Sequence, residues 1–62
     1  MNRIQGKLTY IRKVLGLNQQ EFAKMLGVSN TTVCLWEYGK LGMKLSRQKQ
    51  ILDLCKRNGI EI

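Results

Sequence analysis

Residues 16–40 decide the fold, and they read GLNQQEFAKMLGVSNTTVCLWEYGK. Within them Asn18 is a favourable helix N-cap, and Glu21 can reach back to the Asn18 backbone amide to complete a capping box. Gly27 stands where this helix should end, because glycine adopts a positive φ most easily. Ser29 follows as the N-cap of a second helix. The stretch therefore predicts two short helices joined by a tight turn.

The apolar residues of this stretch predict how the two helices pack. Phe22 and Val33 each occupy the fourth helical position after a cap, so each can form a hydrophobic staple with the residue before that cap. Ala23 is small, which suits a close approach of the helices, and Trp36 continues the inward stripe until Gly39 ends the second helix. A helix pair locked in this way presents the outer face of its second helix as a rigid probe. That is the arrangement of DNA-binding helix-turn-helix domains, whose second helix enters the major groove.

The segment before this stretch carries one apolar stripe. Its members share helical spacing: Ile4, Leu8, Ile11 and Leu15. This spacing predicts a single first helix that ends at Gly16.

The segment after this stretch begins with a loop, since residues 40–45 contain no helix start before Ser46. A last helix is predicted over about residues 47–58, and Gly59 is expected to end it. The side chains expected to point inward from it are Ile51, Leu54 and Cys55. Residues 60–62 alternate like a strand but are too few to decide the matter.

The length and the charge of the chain bound its function. Its 62 residues suffice for one small domain, so we expect a single domain over residues 1–62 with little room for an enclosed cavity. Eleven Lys and Arg residues against four Asp and Glu give a net charge of +7. Such an excess of positive charge predicts a polyanionic partner, either nucleic acid or an anionic membrane surface.

Several classes of function are not expected. No apolar run approaches the ~20 residues of a membrane span and no apolar segment follows the basic start, so we expect a cytoplasmic location and no membrane span. Contact with a membrane surface is not expected either, because the charges spread over four short capped helices and do not line one polar face of a long helix. Cys34 and Cys55, in a chain without His, cannot supply a four-ligand zinc site, so we expect free thiols, no metal and no other cofactor. The chain has only four scattered carboxylates and no nucleophile beside a base. We therefore expect neither catalysis nor a small-molecule ligand.

Residues 16–40 resemble the phage repressor and Cro class of helix-turn-helix proteins, often called the XRE family. The motifs that carry the resemblance, in register, are the Gln-x-x-Phe-Ala opening, the Leu-Gly-Val-Ser turn and the Trp-Glu-x-Gly-Lys close. The resemblance implies an all-α, compact bundle of four to five short helices of the lambda-repressor type. It also implies a transcriptional regulator, and more specifically a repressor, that binds double-stranded operator DNA in a sequence-specific way.

The protein is expected to act as a homodimer on DNA. One recognition helix covers too few base pairs for genomic selectivity, so two half-sites one DNA turn apart are expected. The candidate dimer contacts are the tail at residues 59–62 and two loop residues expected to be exposed, Leu41 and Met43.

The resemblance and the basic residues of the loop assign roles to individual side chains. The residues expected to face the bases are Ser29, Asn30, Thr31 and Leu35. Those expected to contact phosphates are Gln19, Thr32, Lys40, Lys44 and Arg47. Arg12 and Glu37 are expected to form a partly buried ion pair, and the backbone amides of residues 39 and 40 are expected to meet a phosphate.

The expected base-facing residues favour A·T pairs. Asn30 can make paired hydrogen bonds to adenine, and Thr31 and Leu35 can contact a thymine methyl group. No Arg, Lys or Gln lies within residues 29–36, so bidentate readout of guanine is not expected. The sequence therefore predicts A·T-leaning half-sites, with further selectivity from groove shape.

A second class of function stays open at this point. The same scaffold serves in interaction modules, such as an antitoxin or an antirepressor, that act mainly through a protein partner. Specific DNA binding with a steep salt dependence favours the regulator, whereas salt-insensitive association with a protein favours the interaction module.

Three side chains also have two interpretations each. Cys34 is either a redox switch near the presumed DNA face or, more simply, a half-exposed filler. Arg12 could contact a phosphate instead of Glu37. Trp36 could stack on a base, but its spacing from Val33 favours the core.

Overall fold

A computed structural model describes residues 3–62 of the chain. Over those residues the protein is all-helical, with five helices and no strand. The helices are α1 (Arg3–Gly6), α2 (Leu8–Val14), α3 (Gln19–Leu26), α4 (Asn30–Glu37) and α5 (Leu45–Arg57). They enclose one apolar core in a body of 27 × 22 × 17 Å, which confirms the compact all-α class. None of these helices is long and apolar enough to cross a membrane.

Helices α3 and α4 begin and end where the sequence predicts. Asn18 Oδ1 accepts a hydrogen bond from the Glu21 amide at 2.7 Å, and Glu21 Oε1 accepts one from the Asn18 amide at 2.9 Å. Ser29 Oγ accepts from the Thr32 amide at 3.1 Å and so caps α4. Gly27 ends α3 with a φ of 74°. The two helices pack against each other across the short turn between them.

The prediction of a single first helix is wrong, because the chain breaks at Lys7 into α1 and α2. Lys7 has φ −108° and ψ 9°, and its amide donates to the Ile4 carbonyl at 3.1 Å in a tightened turn. Gly6 precedes the break, and glycine weakens a helix interior by about 1 kcal/mol relative to alanine. The apolar stripe nevertheless continues across the break, since Leu8 and Ile11 are fully buried.

Helix α5 begins at Leu45, two residues before the predicted start. Its N-cap is Lys44, which makes no side-chain cap bond but whose carbonyl accepts from the Gln48 amide at 3.0 Å. Ser46 therefore lies inside the first turn. Met43, just before the cap, is buried in the core. Packing of the loop thus sets the start of α5 and outweighs a cap preference of about 1 kcal/mol.

The core draws on every segment from α2 onwards. Its members share an exposed fraction of 9% or less: Leu8, Ile11, Phe22, Ala23, Leu26, Val33, Trp36, Met43, Ile51, Cys55 and Ile60. Trp36 and Cys55 lie inside, as the sequence predicts. Leu54, also predicted to point inward, is half-buried and packs against this core.

The C-terminal tail folds back onto the core instead of projecting from it. Gly59 has a φ of 66°, and the Ile60 amide donates to the Cys55 carbonyl at 2.9 Å, which completes a Schellman motif. Met43 is buried, so the expectation that it is exposed is wrong, and Ile60 of the tail is buried as well. Leu41 remains exposed.

Candidate nucleic-acid interface

The outer face of α4 carries uncharged side chains. Asn30 and Thr31 are exposed at its N-terminal end, and their side chains make no hydrogen bond within the described residues. Leu35 continues the face one turn later and is half-buried. Cys34 lies three residues after Thr31 and four after Asn30, so it shares their face; this helical spacing could have placed it among the predicted base-facing residues. The amide of Asn30 and the hydroxyl of Thr31 are therefore open to an external partner.

Ser29 and Thr32 bond to each other at the start of α4. The Ser29 hydroxyl caps the helix through the Thr32 amide, and the two side-chain oxygens lie 2.8 Å apart. Thr32 is half-buried beside it. Ser29, expected to face a base, thus caps α4 in this structure. Only the hydrogen-bonding capacity of its hydroxyl that the cap bond does not use can meet a ligand.

Three of the expected phosphate contacts line one concavity beside α4. Its volume is about 280 Å³, and its walls include Thr32, Lys44 and Arg47. Trp36 and Leu41 also line it. The fold therefore brings Lys44, before α5, and Arg47, in the first turn of α5, next to α4. These two cations stand beside its uncharged face.

Arg47 also has a structural role that the sequence does not predict. Its Nη1 donates to the Leu26 carbonyl at 2.8 Å and to Gln50 Oε1 at 2.7 Å. The guanidinium carbon lies 5.9 Å from the centre of the Trp36 ring, within the range of a cation–π contact. Since Leu26 is the last residue of α3, the positive charge also stands where the dipole of that helix favours it. Arg47 thus ties α5 to α3 while it lines the concavity.

The Lys40 side chain is exposed, but the backbone amides of its turn already donate hydrogen bonds within the chain. The Gly39 amide donates to the Trp36 carbonyl at 3.1 Å, and the Lys40 amide donates to the Leu35 carbonyl at 2.9 Å. These two bonds form the Schellman motif that ends α4. Each amide thus already has a carbonyl partner within the chain, and contact of these amides with a phosphate stays a prediction.

Arg12 and Glu37, the predicted ion pair, are in contact between α2 and α4. Arg12 Nε donates to Glu37 Oε2 at 2.7 Å, and the two side chains are only 14% and 7% exposed. Thr9 Oγ1 and Gln19 Nε2 donate to Glu37 Oε1 at 2.9 and 3.2 Å. Arg12 Nη1 also donates to the Leu17 carbonyl at 2.9 Å. The Glu37 carboxylate thus joins α2, α3 and α4.

This network explains the acidity of the Glu37 carboxyl group. Burial alone would raise its pKa, but hydrogen bonds from Arg12, Gln19 and Thr9, together with the charge of Arg12, hold the pKa below its usual value. The same hydrogen bond to Glu37 raises the pKa of Arg12. Gln19, expected to bind a phosphate, is half-buried. Its side-chain amide donates one hydrogen bond to the Glu37 carboxylate.

Two of the four acidic side chains are paired with arginines, whereas no lysine of residues 3–62 takes part in an ion pair. Glu37 pairs with Arg12 and Asp53 with Arg57. Within residues 3–62, seven exposed lysines take part in no ion pair: Lys7, Lys13, Lys24, Lys40, Lys44, Lys49 and Lys56. The unbalanced charge of the domain is therefore displayed on its surface, where an anionic partner can reach it.

Both cysteines are free thiols with different surroundings. Cys55 lies in the core, and burial raises the pKa of its thiol. Cys34 is half-buried on α4.

Comparisons of the chain with models of protein families, with curated proteins and with solved structures give no match. The resemblance carried by residues 16–40 therefore stays an inference from the residues themselves, and any function has to be argued from this site.

Proposed function

We propose that the protein is a sequence-specific, double-stranded DNA-binding transcriptional regulator that places α4 in the major groove. The observation that carries this proposal is the face of α4, where the side chains of Asn30 and Thr31 are exposed and make no hydrogen bond, while the neighbouring Thr32 lines a concavity together with Lys44. An exposed, uncharged helix face with cations beside it suits base edges that are approached past phosphates. The resemblance to repressor and Cro proteins supports the same reading.

In this mechanism charge and selectivity reside in different residues. Lys40 and Lys44 contact backbone phosphates and supply affinity that is independent of sequence and sensitive to salt. Asn30 and Thr31 contact base edges and favour adenine and thymine. Two copies of the protein occupy two half-sites one turn apart, and repression follows when the occupied operator excludes polymerase.

The experiment that tests this proposal begins with selection of binding sites from random duplexes at fixed salt. We expect half-sites rich in A·T pairs opposite the N-terminal turn of α4. Fixed guanines at those positions would contradict the assignment of Asn30 and Thr31. An absence of any selected sequence, together with no measurable duplex binding, would refute the proposed function itself.

Two variants then separate the roles on the selected duplex. Lys40→Ala should weaken binding to selected and scrambled duplexes alike. It should also reduce the magnitude of the slope of log K against log salt by about 0.9. Asn30→Ala should instead reduce the preference for the selected duplex, by about 1–3 kcal/mol per lost base contact. Lys56→Ala is the charge-matched control, because Lys56 lies about 18 Å along α5 from Lys44 at the helical rise of about 1.5 Å per residue. Equal effects of all three variants would contradict the division of roles.

A protein-interaction module is the second candidate, and exposed leucines on α5 favour it. Leu45 and Leu52 are 64% and 37% exposed and lie seven residues apart, on one side of the helix. Such residues suit contact with a protein partner. Replacing both leucines with serine tests this candidate: loss of a salt-insensitive complex with a protein partner, together with no duplex binding by the wild type, favours the interaction module.

A further inference from the structure

Gln5 is a polar side chain of α1 that is buried in the domain, with only 4% of its surface exposed. Its Nε2 donates to the Leu41 carbonyl at 2.5 Å and to the Trp36 carbonyl at 3.3 Å. Trp36 lies in the last turn of α4, and Leu41 lies in the loop that follows. One amide group therefore spans the turn that contains Gly39 and Lys40.

The loop that Gln5 reaches has no regular structure of its own. It runs over residues 38–44 between α4 and α5. Near its C-terminal end, Met43 is buried and its carbonyl accepts from Gln48 Nε2 at 2.9 Å. At its centre, the side-chain hydrogen bond comes from Gln5, which is 36 residues away in sequence. The loop is thus held at its centre by α1.

We propose that Gln5 is a positioning residue for phosphate binding, which fixes the place where Lys40 and Lys44 present their charges. The proposal rests on the proposed function and extends it, because it places part of the DNA affinity in α1, to which that function assigns no DNA contact. Lys40 directly precedes Leu41 and Lys44 follows it by three residues, and both lysines are exposed. A shift of the Leu41 carbonyl therefore acts on the segment that joins the two lysines.

The geometry of DNA makes such positioning useful. Phosphates follow one another at a fixed spacing of about 3.4 Å of helix rise per strand, so a backbone that holds two lysines at a matching separation reduces the freedom that is lost when both bind. The Schellman motif fixes Lys40 relative to α4, whereas Lys44 is held at the start of α5, where its carbonyl accepts from the Gln48 amide. The hydrogen bond from Gln5 to the Leu41 carbonyl holds the segment between Lys40 and Lys44 against α1.

The first test is made without DNA. Gln5→Met keeps the length and most of the volume of the side chain but removes both amide donors. Ile51→Val is the control, because it loosens the core at α5 and leaves the loop carbonyls untouched. By nuclear magnetic resonance relaxation, the backbone order parameters of residues 41 and 42 should fall from values near 0.85 to below about 0.6 in Gln5→Met and stay high in Ile51→Val. Unchanged order parameters in Gln5→Met overturn the proposal. If Gln5→Met does not fold, Gln5→Asn shortens the reach of the amide by one methylene and takes its place.

The second test is a double-mutant cycle on a selected duplex. In the wild-type background Lys44→Ala should lower the salt slope by about 0.9, and in the Gln5→Met background it should lower it by much less. In the Ile51→Val background the full effect of Lys44→Ala should return. Equal effects in all three backgrounds mean that Gln5 is merely structural and overturn the proposal while the proposed function stands. A wild-type chain that does not bind duplex DNA overturns both, and the order parameters then report only on the loop.

Discussion

The ion pair between Arg12 and Glu37 predicts a large and pH-dependent loss of stability in the variant Arg12→Met. The replacement fills much of the same space but leaves a carboxylate that is 7% exposed without its cation. Removal of one partner of a buried pair costs about 3–5 kcal/mol. Thr9 and Gln19 still donate to Glu37 in the variant, so we expect a loss near 3 kcal/mol at neutral pH. A domain of this length has a free energy of unfolding of about 3–9 kcal/mol, so the loss should be easy to detect.

The dependence on pH follows from the direction in which the pKa of Glu37 moves. In the wild type this pKa is lowered from the usual 4.5, so the pair stabilises the fold fully above pH 4.5 and progressively less as the pH falls below it. In Arg12→Met the uncompensated burial raises the pKa of Glu37 instead, so the variant gains stability relative to neutral pH as the carboxyl group becomes protonated. The difference in stability between the two proteins should therefore narrow between pH 7 and pH 3.5.

The assay is urea denaturation at about 15 °C, near the temperature of maximum stability. The fluorescence of Trp36, the single tryptophan, reports unfolding because its ring is buried. Arg57→Met is the matched control: its partner Asp53 is 56% exposed, so the loss should stay below about 1 kcal/mol. If Arg12→Met lost as much free energy of unfolding at pH 3.5 as at pH 7, the reasoning would be refuted, because the loss would then reflect lost packing and not an unpaired charge.

Two further predictions concern single positions. Gly27→Ala should lower stability by about 1–2 kcal/mol, because its φ of 74° strains any residue with a Cβ even though the space around it is open. Gly42→Ala, at a position equally open but without a positive φ, is its control, and chemical denaturation of both checks the difference. Cys34 should react with a thiol reagent in the native protein while Cys55 stays protected, because Cys55 is buried and burial raises its pKa. Reaction of both thiols at one rate, followed by absorbance, would contradict the assignment of Cys55 to the core.

Local signals in the sequence predicted the middle of the chain better than its ends. The limits of α3 and α4 depend on bonds between Asn18 and Glu21 and on the Ser29 cap, which form between residues a few positions apart. The start of α5 was wrong by two residues because it depends on the burial of Met43, a tertiary effect. The break at Lys7 was missed because the apolar stripe keeps its spacing on both sides of the break.

The same distinction applies to the candidate site. The pairing of Arg12 with Glu37 could be inferred because the resemblance supplies both side chains. The bonds of Gln5 and Arg47 could not, since their acceptors are main-chain carbonyls 36 and 21 residues away. Every residue has a carbonyl group, so no sequence pattern marks the one that a distant side chain will find.

The Glu37 carboxylate has a further consequence for any ligand that contacts α4. Because it accepts bonds from Thr9, Arg12 and Gln19 at once, α4 cannot tilt without breaking contacts to two other helices. The helix is thus preorganised, and docking requires little loss of backbone freedom. The entropic cost of association then falls mainly on the long, exposed lysine side chains. Affinity should accordingly depend on how many lysines become ordered at the interface, and the free and bound forms of the helical frame should superpose closely.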